Sequence, residues 1–112
     1  MVTVNGVQME IDALDADFIE RFERAAGVLG EKDAGTPKDS LTAAMRYQCR
    51  CIRAFLDAVF GKGTGKAVLP KDNIGEAFAA VEDISNEVRR QRETYEARLQ
   101  RYRPNRMQRR AE

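Results

Sequence analysis

A chain of 112 residues with 43% apolar and 33% charged side chains suits one helix-rich domain that buries roughly two-thirds of its unfolded surface. Its apolar runs are too short for a membrane span, its acidic start is no signal peptide, and a chain without histidine lacks the commonest general base and zinc ligand. The net charge of +1 conceals a polarised chain: residues 1–88 hold ten basic and fifteen acidic side chains, whereas residues 89–112 hold nine arginines and three acids.

Val2-Thr3-Val4 and Val7-Gln8-Met9-Glu10-Ile11 alternate around Asn5-Gly6. Both central positions of a type I′ turn need φ > 0, so this pattern predicts a β-hairpin. A two-stranded ribbon is marginal alone and must pack on helices or on another chain. Asp15 or Asp17 then caps a helix expected near residues 16–29, whose stripe is Phe18, Ile19, Phe22, Ala25, Ala26 and Leu29. Gly27 and Gly30 weaken its end, and residues 31–39 read as a polar loop.

The central pattern spans Leu41 to Val88. Leu41, Met45, Cys49, Ile52, Leu56 and Val59 recur at gaps of three and four, with Phe55 and Phe60 alongside, which predicts a helix over 40–60 capped by Asp39 or Ser40. Gly61, Gly63 and Gly65 stop it, with Gly61 placed for a left-handed C-terminal cap. Ala67-Val68-Leu69 is a short apolar touch-down before the last helix, expected over 73–102 with Asp72 or Asn73 as its cap. Ile74, Phe78, Val81, Val88, Tyr95, Leu99 and Tyr102 follow a heptad, diluted by Ser85 and Arg92. Pro104 is expected to end the helix, leaving 104–112 as a basic, flexible tail to a single domain of residues 1–103. The expected fold is mainly α: three helices, an N-terminal β-ribbon and a long basic C-terminal helix, with Met45, Phe55, Phe60 and Phe78 in the core.

Little in the chain suggests catalysis. Gly61-Lys62-Gly63-Thr64-Gly65-Lys66-Ala67 has three residues between its outer glycines where a P-loop has four, and Ala67 replaces the magnesium-binding hydroxyl. The acids at Asp12, Asp15, Asp17, Glu20 and Glu23 lack the spacing of a calcium loop. Cys49 and Cys51, at i and i+2 on a helix, point apart and are no disulfide pair. No enzyme, cofactor or metal site is expected.

The arginine arm is the candidate functional element. Arg92, Tyr95, Arg98, Leu99, Arg101, Tyr102 and Arg106 lie beyond the expected core and are the proposed partner contacts. Arginine and tyrosine together suit an acidic protein surface, a second copy of the chain, or phosphates and stacked bases of nucleic acid. A solvated helix end with Arg89–Glu93 and Arg92–Glu96 pairs is the plainer alternative. The acidic body argues against a dedicated DNA binder.

Three ordered segments carry a resemblance: Val4-Asn5-Gly6 with Ile11-Asp12, Phe55 through Thr64 (FLDAVFGKGT), and Tyr102-Arg103-Pro104-Asn105-Arg106-Met107-Gln108-Arg109-Arg110. Together they resemble a family of small proteins from the tail-gene region of siphophages and prophages of Gram-positive bacteria, regarded as tail assembly chaperone-like. The resemblance implies a non-enzymatic, oligomeric protein of the host cytoplasm that binds the tape-measure protein and tail-tube subunits. It supplies no catalytic motif and no fixed client-contacting residues. A small nucleic-acid-binding protein and a structural connector or tail subunit of the virion are the alternatives.

Overall fold

The computed structural model describes the backbone of residues 1–111 and the side chains of residues 1–101. It is mainly α, with the expected hairpin first and the long basic helix last. Strand β1 (Val2–Val4) pairs antiparallel with β2 (Val7–Met9), Val4 opposite Val7. Asn5 at φ 49° and Gly6 at φ 81° form the turn that the Asn-Gly pair demands. Asn5 does a second job: its Nδ2 donates to the Val68 carbonyl at 3.4 Å and the Glu76 carbonyl at 3.1 Å. The ribbon is thereby pinned to the helices that it could not stand without.

Helix α1 (Ala16–Asp33) starts at Asp15, whose carboxylate accepts the Asp17 N–H, and it outruns the expected end. Gly27 and Gly30 face open space, so they weaken the helix without stopping it. Helix α2 (Leu41–Phe60) is capped by Ser40 and packs chiefly on α1. It ends on Gly61 at φ 115° and ψ 156°, an extended positive-φ state reserved for glycine rather than the left-handed cap expected. The apolar touch-down is itself a short helix, α3 (Thr64–Val68), too brief to show any periodicity in the sequence. Helix α4 (Ile74–Ala111) opens on Asn73, whose Oδ1 accepts the Glu76 N–H at 3.1 Å. It runs on through Pro104, where the sequence predicted its end. Pro104 forfeits one backbone hydrogen bond, while its neighbours Gln100, Arg101, Arg103, Arg106 and Met107 are strong helix formers.

One core joins all of these elements: Val4, Met9 and Ile11 from the ribbon, Phe18 and Ala25 from α1, and Cys49, Ile52, Phe55, Leu56 and Val59 from α2. Val68 and Leu69 enter from α3 and the residue that follows it. Phe18, Phe22, Phe55 and Phe60 make an aromatic chain with ring centroids 5.9–6.3 Å apart. Three core expectations need correction, and one is Met45, which is only half-buried and stands outside the core cluster. Leu41 is 73% exposed because it occupies the first helical position, above the body. Phe78 is 51% exposed because α4 is rotated: its inward row is Ala77, Ala80, Ile84 and Val88, so that of the heptad residues Val88 reaches the core, Ile74 and Val81 pack at its edge and Phe78 stands outside. Ala77 and Ala80 are both fully buried and let α4 approach closely.

Candidate protein-binding surface

The glycine-rich turn is a packing device. Gly65 N–H donates to Asp57 Oδ1 at 2.7 Å, so a carboxylate holds the amide that a phosphate would need. A Cβ on Gly65 would lie 2.4 Å from the Arg53 carbonyl oxygen, so only glycine lets α3 sit against α2. Arg53 holds the far end of this join: its Nε donates to the Leu69 carbonyl at 2.8 Å and its Nη2 meets Asp72 Oδ1 at 2.8 Å. Cys49 lies fully within the core, where burial first and Asp72 second push its thiol pKa up.

The arm begins at Gln91. Its Oε1 accepts the Ala13 N–H at 2.7 Å and its Nε2 donates to the Ile11 carbonyl at 2.8 Å, tying α4 to the exit of the ribbon. Glu87 steadies this amide from one turn back, accepting from Gln91 Nε2 at 3.1 Å and from Arg90 Nε and Nη2 at 2.8 and 2.6 Å. The Arg90 hydrogen bonds, then that of Gln91, hold the Glu87 carboxyl below its ordinary value. Nothing in the sequence flagged Gln91, because a tie across 78 residues leaves no local pattern. Replacing Gln91 by Ala should leave the Ala13 N–H and Ile11 carbonyl without partners. A stability loss of about 1–2 kcal/mol in urea unfolding, with faster amide exchange at Ala13, is the expected result.

Beyond Gln91 the helix leaves the body, and the molecule measures 64 × 29 × 21 Å. Arg92, Arg98 and Arg101 are exposed, Tyr95 is 48% exposed, and Leu99 is half-buried. The side chains of Tyr102 and Arg106 lie outside the described residues. The pairs Arg89–Glu93 and Arg92–Glu96 are not among the ion pairs of the described residues. Arg89 instead donates to Asn86 Oδ1 at 3.2 Å, and Arg90 takes Glu87 three residues back.

Beside the arm's root, α1 and α4 splay apart over α2 and leave an apolar groove of about 610 Å³. Phe22, Leu29 and Phe55 line one side and floor, with Phe78 and Val81 opposite. The only charged side chains lining it, among the described residues, are Asp33 and Glu82. Rotation of α4 thus turns Phe78 from a core residue into a groove wall. Of the heptad residues in the first half of α4, Phe78 alone is exposed; Ile74 and Val81 are half-buried against the core and Val88 lies within it. No helix among the described residues is long and apolar enough to cross a membrane, and they contain no cluster of metal-ligating side chains.

This arrangement offers recognition chemistry: a groove with acidic lining between α1 and α4, and a helix α4 that carries two exposed aromatic side chains, Phe78 and Tyr95, and a basic second half. No curated protein and no solved structure matches the chain. Residues 5–112 match the family described as a family of unknown function, DUF6673, and the chain belongs to that family.

Proposed function

We propose that this chain is a non-enzymatic, phage tail assembly chaperone-like protein that binds the tape-measure protein and tail-tube subunits in the host cytoplasm. The observation that carries the reading is the departure of α4 from the body at Gln91, with Tyr95 about half exposed among exposed arginines. A helical client with an acidic flank fits such a surface by helix-in-groove recognition, its apolar side chains meeting Phe78, Val81 and Tyr95. The resemblance of the hairpin, the glycine turn and the terminal arginine segment to the tail-chaperone family names the client class.

Co-expression with a tape-measure protein tests it. The full chain should co-purify with that client, and Arg92→Glu, Arg98→Glu and Arg101→Glu together should abolish capture. The chain should also be missing from finished particles by mass spectrometry. Its presence in particles would make it a virion component. Capture of nucleic acid, falling steeply with salt and lost with the same arginines, would make it a nucleic-acid binder instead.

A further inference from the structure

We infer that the groove between α1 and α4 receives the α4 arm of a second copy of this chain, the two α4 helices pairing antiparallel about a two-fold axis. Three observations lead there. The groove is apolar and its charged lining is acidic, Asp33 and Glu82, so a basic helix with apolar residues complements it. The arm is that helix, but it cannot reach the groove of its own subunit. Helix α4 is unbroken from Ile74 to Ala111, and its first half is the groove's wall.

Charge along α4 then fixes the direction. Residues 74–88 carry Glu76, Glu82, Asp83 and Glu87 with no cation, while residues 89–101 carry Arg89, Arg90, Arg92, Arg98 and Arg101 against Glu93 and Glu96. An antiparallel pair lays each acidic half along the other copy's basic half. A parallel pair would set like charge against like.

The heptad supplies the register. Placing the second copy's Tyr95 opposite Phe78 puts its Leu99 opposite Ile74 and its Arg92 opposite Val81, layer for layer. Glu82 then flanks the second copy's Arg89, and the symmetry repeats that pair. The overlap of about 26 residues is ~39 Å of helix, long enough to cover Phe78 and Tyr95 in both copies. The two-fold axis falls between Ser85 and Val88, where Val88 stays in its own core, and the second copy's Arg98 and Arg101 approach the Asp33 end of the groove. Residues whose exposure is unexplained in a lone subunit thereby cover one another.

The inference concerns the free protein and does not depend on the client reading, so its test uses the purified full chain alone. Light scattering and sedimentation should give twice the 12.6 kDa chain mass. Glu82→Arg sets arginine against Arg89 at both symmetry-related contacts, and Arg89→Glu sets two acids together. Each should raise the dimer Kd by about tenfold or more, with helicity unchanged because both side chains are exposed. Combining the two in one chain, or mixing the two variants, should restore the dimer. Phe78→Ala should weaken it in every background. A wild type that stays at single-chain mass across the concentration series overturns the inference. So does a dimer that neither charge reversal weakens, or one that the double variant fails to restore.

Discussion

Gly65→Ala should cost about 3 kcal/mol and lower the Tm by roughly 12 °C, an unusual effect for one added methyl group. A Cβ there would lie 2.4, 2.7 and 2.8 Å from the carbonyl oxygen, Cα and carbonyl carbon of Arg53. Those are backbone atoms inside a helix, so no side chain can swing aside. Either α3 lifts from α2 or α2 bends, and both movements disturb Val68 and Leu69, which are at most 1% exposed. The Asp57 contact to Gly65 N–H and the Arg53 contact to the Leu69 carbonyl would loosen together. Gly27→Ala is the matched control, since that glycine faces open space within α1. It should gain several tenths of a kcal/mol through helix propensity alone. Thermal unfolding followed by circular dichroism distinguishes the two, and a Gly65→Ala protein with unchanged Tm would mean that the α2–α3 join is not tight.

Deleting residues 92–112 should produce the largest change in association with almost none in folding. The truncated chain keeps Gln91 and therefore the tie to Ile11 and Ala13 that closes the body. Side chains from Arg92 to Arg101 are exposed apart from the half-buried Leu99, so little apolar burial is lost. The Tm should move by no more than about 3 °C, since exposed substitutions are worth a few tenths of a kcal/mol each. Association should fall by at least about a hundredfold, because Tyr95, Leu99 and most of the positive charge leave together. A truncated body that melts far lower, or one that still associates, would mean that the arm belongs to the core or that binding lies elsewhere.

Local chemistry explains which features were legible in the sequence. Asn5-Gly6 announced the hairpin because few residue pairs accept two positive φ angles. Ser40 and Asn73 marked helix starts because a side-chain oxygen must take an otherwise unpaired N–H there. The face of α4 was misjudged by one step for a physical reason. A heptad search follows large residues, whereas close helix approach selects small ones, and here Ala77 and Ala80 start the buried row that Ile84 and Val88 complete. The same pull toward large residues hides the groove, because it places Phe78 in the core that it borders. Short α3 carried too few residues for a period, and the ties through Gln91, Arg53 and Asn5 join positions far apart in the chain.

The candidate site was half visible. The charge step at residue 89 identified the arm, and the structure shows Arg92, Tyr95, Arg98, Leu99 and Arg101 on helix beyond the last tie to the body. The acidic, apolar groove that complements them was invisible, since three separated segments build it. One helix therefore contributes both a wall of the groove and the arm suited to fill it. A client helix whose acidic flank meets Arg92, Arg98 and Arg101 would compete with the second copy for Phe78, Val81 and Tyr95, which links the proposed chaperone role to the inferred dimer.

The central claim is that residues beyond Gln91 grip another polypeptide rather than their own subunit. Replacing Tyr95 with a photo-crosslinking phenylalanine analogue in the full chain and irradiating it tests this most directly. The account predicts adducts between chains, near Phe78 and Ile74 of a second copy or on a co-purified client, resolved by mass on a denaturing gel. Crosslinks confined to the same chain would contradict it.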